Sequence, residues 1–256
     1  MLRSKIVFKK LKKKYYSKEI ISLPRALSRL GYCSRKKAQE LIITGKVKVN
    51  GEICKSETKR INLLEDNITV DNVELSKIHE YVYIALNKPK GIIVSREDEK
   101  GRATVFDVLK ESNLPYIFPV GRLDKASEGL LLLTNDSKWA DNILNPKSKI
   151  EKTYLVKIQI KADEELVCKI KKGAKVPSGE VLYVKDCRIL KANEKTSWLE
   201  IKLTEGKNRH IRRIFESMNI EILRLIRIAI GNLKLQGLKK GEFKILNEVE
   251  LKSIFE

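Results

Sequence analysis

One aspartate stands beside the most apolar run of the chain, in the segment GRLDKASEGLLLLTND, residues 121–136. Asp124 follows Arg122 and comes shortly before four consecutive leucines at 130–133. An isolated buried carboxylate is costly, so this acid must be hydrogen-bonded, ion-paired or used in a reaction. Its type and position leave four roles open: turn former, buried ion pair, metal ligand, and catalytic nucleophile or charge stabiliser.

A second segment, SWLEIKLTEGKNRHIRRIFESM at 197–218, combines an alternating strand pattern with a helix pattern. Its predicted helix starts near Arg209 and places Arg212 and Arg213 off the apolar stripe. Cations in the first turn of a helix oppose the helix dipole, so the pattern favours a nearby anion. That anion is either a phosphate or the carboxylate of Asp124.

Several predicted elements would position these two segments. YVYIALNKP (81–89) and GLLLLT (129–134) are typical of buried strands, so Asp124 is expected in the loop before a strand and the four leucines in the core. A turn at 89–91 leads into GIIVS, predicted as a continuation of the first strand. We predict a helix at 103–110 that begins near Thr104, and another that Asp136 caps.

The N-terminal region predicts a small helical module followed by a hairpin. Gly31 and Gly45 are placed to end two helices, Ser34 to begin the second, and Asn50-Gly51 to form a hairpin turn. Another short strand is predicted at 67–71. Five cations would surround this module and suit a phosphate backbone: Arg35, Lys36, Lys37, Lys46 and Lys48.

The overall charge also indicates a polyanionic partner. Lysine and arginine total 53 against 33 acidic residues, which gives a net charge of +20. Nucleic acid is favoured over an anionic membrane, because no stretch approaches the roughly 18 apolar residues of a membrane span. Four widely spaced cysteines predict free thiols in a reducing compartment, with neither zinc site nor disulfide.

Two regions of the sequence resemble known families. LSRLGYCSRKKAQELIITGKVKVNG, within residues 22–72, looks like the small RNA-binding domain first described in ribosomal protein S4. NKPKG, GRLDKASEGLLLLTND, EKTYLV and LTEGKNRHIRRIFE resemble, in this order, the motifs of bacterial ribosomal RNA pseudouridine synthases of the RsuA/RluB type. Together the likeness extends from residue 22 to about 248. Within this likeness, the sequence LIRI at 225–228 favours enzymes that modify the RNA of the large ribosomal subunit.

The resemblance implies a fold class, α+β, with an S4-like domain before a catalytic domain built on a mixed or antiparallel sheet. We divide the chain into a basic tail (1–20), an RNA-binding domain (21–72), a linker (73–80) and a catalytic domain (81–256). The tail has no continuous apolar stretch, so we do not expect it to be a secretory signal. It also implies a cytoplasmic monomer that acts on ribosomal RNA or a pre-ribosomal particle. No membrane partner, metal, redox cofactor or ATP is expected.

The resemblance further implies residue roles. Asp124 would be the catalytic aspartate, kept ionised by Arg212, and Tyr154 would stack on a flipped uracil and transfer a proton from C5. Arg122 would fill the vacated base stack or hold a phosphate. Further phosphate contacts are expected from three cations: Lys207, Arg209 and Arg213. His210 stands where the family usually has glutamine or another polar residue, and is expected to act as a neighbour of the site or as a general acid.

Two rival functions follow from the residues. The chain would be a noncatalytic RNA-binding or ribosome-assembly factor if the fold were kept without the reaction. A metal-dependent nuclease would instead use Asp124, Glu128 and Glu205 as ligands.

Overall fold

The structure, a computed structural model, describes residues 20–75, 81–96, 98–110, 112 and 114–256. The chain forms two compact units. One contains the described residues up to Tyr83 together with 113–118 and 134–137 where described, and the other contains the remainder. The predicted basic tail lies outside the described residues except for Ile20, which begins a strand.

The first unit has two short helices and two small antiparallel sheets. Its elements are β1 (Ile20–Ser22), α1 (Leu23–Arg29), α2 (Arg35–Ile43), β2 (Val47–Val49), β3 (Glu52–Ile53), β4 (Arg60–Asn62), β5 (Ile68–Val70) and β6 (Val73–Glu74). One sheet has the order β3-β2-β5-β6, and the other pairs β1 with β4. The linker predicted at 73–80 therefore starts too early, because a turn with positive φ at Asp71 and Asn72 returns the chain into β6.

The local signals in this unit produced the predicted structure. Ser34 Oγ accepts the backbone N–H of Lys37 at 3.1 Å, which caps α2. Gly31 and Gly45 have φ of +69° and +73° directly after the two helices. The apolar faces meet in one core whose fully buried members include Leu23, Leu27, Ile42, Val47 and Ile61. This arrangement leaves the basic side chains of α2 on the surface.

The second unit is built on a nine-stranded mixed sheet. Seven of its strands follow the order β13-β14-β10-β15-β9-β7-β17, while β16 pairs with β15 and β8 with β9. The strands are β7 (Tyr83–Lys88), β8 (Phe118–Val120), β9 (Glu128–Thr134), β10 (Lys152–Ile158), β11 (Ala174–Lys175), β12 (Val181–Leu182), β13 (Asp186–Ala192), β14 (Ser197–Leu203), β15 (Ile222–Ile230), β16 (Leu233–Lys234) and β17 (Phe243–Ile245). The pair β11-β12 forms a separate small sheet. The predicted α+β class with a mixed sheet is confirmed.

Four α-helices and a 3-10 turn accompany this sheet: α3 (Ser137–Leu144), the 3-10 turn Pro146–Ser148, α4 (Glu164–Lys172), α5 (His210–Glu216) and α6 (Glu248–Ser253). Ile211, Ile214 and Phe215 of α5 are buried, as their spacing predicts, in one core with residues of β10, β14 and α4. The leucines at 130–133 are buried, as predicted. No helix in the described ranges has the length and apolar character needed to cross a bilayer.

Two predicted elements are wrong. Residues 91–95 form no strand but only an isolated bridge between Ile93 and Thr104, and 105–110 form turns instead of a helix. Backbone groups of Ile93 exchange hydrogen bonds with Ala103 and Val105, and Asp107 Oδ2 accepts the N–H of Thr104 at 2.7 Å. These local bonds compete with the helical ladder and replace it.

The parallel contact between β9 and β15 brings the two site-bearing regions together. Gly129 pairs with Arg227 in this contact and has φ of +103°. A Cβ atom at Gly129 would lie 2.2 Å from the carbonyl oxygen of Arg227. Glycine is therefore required here for close approach as well as for backbone conformation.

Candidate active site

A cavity of about 760 Å³ opens in the second unit. Its wall includes the loop before β9, the start of β10, the loop between β14 and α5, and part of β15. Among the described residues, eight lysines and arginines line it against two acids, Asp124 and Glu205. Its size suits a nucleotide-sized ligand, and its charge suits a polyanion.

Asp124 and Arg212 meet in this cavity although 88 positions separate them in the chain. Arg212 Nε lies 3.6 Å from Asp124 Oδ2, and the Arg212 side chain is 13% exposed. Its Nη2 donates to the backbone oxygen of Ala126 at 3.2 Å and to Ser127 Oγ at 3.3 Å. Arg212 thus holds the loop that carries the aspartate.

The Arg212 guanidinium remains charged although it is buried. Burial lowers the pKa of the Arg212 guanidinium, and the neighbouring Asp124 carboxylate opposes that effect. The Arg212 side chain stays cationic because arginine ordinarily titrates far above neutral pH.

Lys88, which the sequence pattern did not indicate, also holds this loop through hydrogen bonds to its backbone. It ends β7 with no exposed surface, and its Nζ donates to the backbone oxygens of Ser127 at 2.9 Å and Pro89 at 3.0 Å. Burial lowers its pKa to about 8, opposed by Asp124 and Glu128. The only sequence signal for this residue was its place in NKPKG, where a lysine at the end of a strand usually reaches solvent.

Tyr154 and Arg122 also line the cavity. Tyr154 is partly exposed on β10, whereas Arg122 is exposed in the loop before Asp124. The predicted aspartate, tyrosine and two arginines are therefore gathered around one space. An exposed guanidinium and a partly exposed ring that line one cavity are suitable for contact with an unstacked base.

The three cations of segment 197–218 that were predicted to hold phosphate already have carboxylate partners. Lys207 Nζ lies 3.0 Å from Glu180 and 3.4 Å from Glu205, while Arg209 pairs with Glu216. Arg213 Nη2 donates to Glu180 at 2.8 Å, and its residue does not line the cavity. Lys207 and Arg209 do line it, so of these three only Arg213 is directed elsewhere.

His210 is buried at the start of α5, and its Nε2 lies 2.9 Å from the backbone oxygen of Tyr183. Burial lowers its pKa, so the ring is neutral at pH 7. In the tautomer with hydrogen on Nε2, the ring donates to that carbonyl, which fixes its orientation. This contact supports the role of a neighbour that positions the loop.

The proposed metal ligands of the nuclease alternative are not grouped. Within the described part of the chain, no cluster of three or more His, Cys, Asp and Glu side chains could hold a metal ion. Glu128 is paired instead with Arg224 at 3.0 Å and Lys240 at 2.7 Å. Burial alone would raise the pKa of Glu128, but the hydrogen bonds and positive charges of Arg224 and Lys240 outweigh burial. The pKa therefore lies below its usual value, and the side chain is ionised. All four cysteines are free thiols, as predicted.

On the first unit, the five predicted RNA-binding cations differ in their surroundings. Lys37 pairs with Glu40 at 2.9 Å, Lys46 lies 3.9 Å from Asp71, and Lys48 donates to Asn72. The other two are exposed at the start of α2, and no acid pairs with either within the described residues: Arg35 and Lys36.

Two protein-family models match the chain. The model described as RNA pseudouridylate synthase matches residues 82–217, and the S4 domain model matches residues 22–68. These segments coincide with the second-unit motifs and with the helical module of the first unit.

Curated relatives and a solved structure match nearly the whole chain. Ribosomal large subunit pseudouridine synthase B of Bacillus subtilis is 37% identical over 91% of this chain and 94% of its own. An RNA pseudouridine synthase of Aquifex aeolicus is 36% identical over 92% and 94%. A crystal structure of a pseudouridylate synthase superposes with a TM-score of 0.64 and 28% identity, covering 91% of this chain and 99% of that one.

Proposed function

The chain belongs to the RNA pseudouridylate synthase family, and we propose that it converts a specific uridine of ribosomal RNA, in the large subunit, to pseudouridine. The contact between Asp124 and Arg212 inside a cavity that also contains Tyr154 is the observation that best supports this function. The printed name of the Bacillus subtilis relative supports the choice of large-subunit RNA.

The reaction rearranges bonds within one nucleoside. The N1–C1′ bond breaks, the uracil turns and C5 bonds to C1′; C5 then gives up its proton and N1 takes one up, so the composition of the nucleoside is unchanged. We propose that the Asp124 carboxylate acts as nucleophile or stabilises positive charge as the base leaves. Arg212 orients this carboxylate, because its guanidinium contacts both the acid and the adjoining loop.

The target base must leave its stack to reach this carboxylate. We propose that the Tyr154 ring stacks on the flipped uracil, and that its hydroxyl takes part in proton transfer from C5. Arg122, exposed at the cavity, would replace the base in the stack or hold the neighbouring phosphate. Unstacking costs a few kcal/mol, which these contacts would offset.

The S4 domain of the first unit would hold the RNA by its backbone. We propose Arg35, Lys36, Lys37, Lys46 and Lys48 as its phosphate contacts, with Lys207 and Arg209 assisting beside the cavity. Lys207 and Arg209 must exchange a carboxylate for a phosphate on binding, since each is ion-paired in the free protein. We propose that the protein acts as a cytoplasmic monomer on ribosomal RNA or a pre-ribosomal particle.

Replacement of the aspartate tests this function. Asp124→Asn removes the charge while keeping the shape, so we expect pseudouridine formation to fall by more than about a thousandfold with RNA affinity retained. Tritium release from C5-labelled uridine in ribosomal RNA measures the reaction, and filter binding measures affinity. Asp141→Asn, a surface change on α3, is the control. Unchanged product formation by the Asp124 variant would support a noncatalytic assembly factor instead.

A chelator distinguishes the nuclease alternative. The proposed reaction uses a carboxylate and a phenol, so we expect the same rate of isomerisation with and without excess EDTA. The RNA substrate should also remain full length on a denaturing gel. Loss of activity in EDTA that added Mg²⁺ restores would contradict this expectation.

A further inference from the structure

Two more cations, Lys152 and Arg227, line the cavity beside Tyr154, and the proposed reaction uses neither. Lys152 precedes Tyr154 by two residues on β10, so both side chains lie on the same face of that strand. Arg227 of β15 is the register partner of Tyr154. The two cations therefore flank the ring that we propose as the stacking surface.

Arg227 is buried, and no acidic side chain among the described residues pairs with it. Its residue is 6% exposed, and its Nε donates to the backbone oxygen of Leu130 at 2.7 Å. Its Nη2 has no hydrogen-bond partner in the part of the chain that the structure describes. A guanidinium has five N–H donors and always carries charge, so a single carbonyl satisfies it only in part. Leaving such a group in a wall of the cavity is costly unless an anion approaches it.

Lys152 adds a second uncompensated charge. Its Nζ makes one long hydrogen bond, 3.4 Å to the backbone oxygen of Ile143, and no described carboxylate pairs with it. Burial, together with the positive charge of Arg227, lowers its pKa to about 8. The ammonium group is therefore still largely protonated at pH 7, and the two cations repel each other in the free protein.

This environment differs from that of three other cations that line the cavity. Lys207, Arg209 and Arg212 each lie next to a carboxylate in the free protein, which already balances their charge. Lys152 and Arg227 have carbonyl contacts alone, which supply only partial negative charge. An anionic ligand thus gains more beside these two buried residues than beside the three paired cations, because no internal ion pair has to be broken first.

We infer that Lys152 and Arg227 form a subsite for one phosphate group of the RNA, the phosphate attached to the nucleotide whose base lies against Tyr154. This inference rests on the proposed function, because RNA is the source of the phosphate. A phosphodiester adjoins every nucleotide, and charge-assisted hydrogen bonds from lysine and arginine are the usual means of holding one.

The test compares uridine with its two monophosphates. Calorimetric titration of the full chain at pH 7 and constant ionic strength would use uridine, uridine 5′-monophosphate and uridine 3′-monophosphate. We expect one monophosphate to bind about tenfold more tightly than uridine, and its identity to show on which side of the nucleoside the subsite lies. Inorganic phosphate should compete with that monophosphate and not with uridine.

Charge variants assign this preference to the two residues. Lys152→Gln should abolish it without weakening uridine binding, and Lys152→Arg should retain it. Lys191→Gln on β13 removes the same charge from an exposed site and should leave the preference intact. Arg227→Gln should also abolish it; if circular dichroism shows that this variant is unfolded, the Lys152 series decides.

The inference is overturned if wild-type protein binds the three ligands equally, or if Lys152→Gln keeps the preference. Pseudouridine formation is measured separately on ribosomal RNA. Active wild-type protein with an unchanged preference in Lys152→Gln would refute the subsite alone. Inactive wild-type protein whose preference depends on Lys152 would instead refute the proposed function and retain the subsite.

Discussion

At the scale of single residues, the environment of Lys88 makes a measurable contribution to stability. This side chain has no exposed surface, and burial lowers its pKa to about 8. In the unfolded chain its ordinary pKa is near 10.5, so between these values the unfolded state binds more protons than the folded state. The stability contributed by Lys88 is therefore lower below pH 8 and rises with pH through this window.

Lys88→Met removes that titration. We expect the free energy of unfolding of wild type, minus that of the variant, to rise by about 2–3 kcal/mol between pH 8 and 10.5. Urea unfolding across this pH range measures the difference. The titration of Lys152, whose pKa is also about 8, contributes equally to both proteins and cancels in the difference. Lys90→Met, an exposed neighbour in the following turn, is the control. A difference that stays constant with pH would contradict the assignment.

The same scale shows what sequence could and could not predict about the site. Asp124, Tyr154 and Arg212 were expected together, and the structure gathers them at one cavity, while their catalytic roles remain proposals. Lys88 was missed because strand periodicity cannot distinguish a buried lysine from one that reaches solvent. The partner of Lys207 and Arg213 was missed too, because Glu180 approaches them from a distant turn through tertiary packing alone.

At the scale of elements, the close pairing of β9 and β15 depends on Gly129. Gly129→Ala would combine positive-φ strain with a clash against the Arg227 backbone, 2.2 Å from the new Cβ. We expect it to destabilise the protein by about 3 kcal/mol or more, since the strands must move apart. Denaturant unfolding measures this loss.

A second glycine separates clash from strain. Gly179 also has positive φ, +82°, but a Cβ there would meet nothing within 4 Å. Gly179→Ala should therefore cost only about 1 kcal/mol. Equal losses in the two variants would mean that strand approach at Gly129 contributes nothing beyond backbone conformation.

Elements with strong local signals were predictable, whereas those decided by competing hydrogen bonds were not. Ser34, Gly31 and Gly45 delimit α1 and α2 as expected, because capping acts within a few residues. The helix predicted at 103–110 failed because Ile93, a residue of another segment, takes part in its backbone bonding. The register of β15 between β10 and β9 likewise depends on contacts that no local pattern contains.

At the scale of the whole molecule, Arg35 and Lys36, the two exposed cations of α2 without an ion pair to any described residue, provide a test of RNA binding by the first unit. Arg35→Ala combined with Lys36→Ala should weaken affinity for ribosomal RNA. The slope of log affinity against log salt should fall by about 1.5–2, as two phosphate contacts disappear. Electrophoretic mobility shifts at several salt concentrations measure both quantities.

The control for this test removes two charges elsewhere. Lys191→Ala combined with Lys195→Ala gives the same net charge from exposed positions of the second unit. We expect a smaller loss of affinity and little change in the salt slope. If both double variants behave alike, net charge governs binding and the α2 surface has no special role.

The position of β15 in the sheet has a consequence for the time at which the enzyme becomes competent during its own synthesis. This strand, residues 222–230, leaves the ribosome after both β9 and β10, yet it lies between them in the sheet. A nascent chain that already contains both Asp124 and Arg212 still lacks the strand that joins their two halves of the sheet. The cavity therefore closes only after β15 has been synthesised, and chains that end before this strand should not modify RNA.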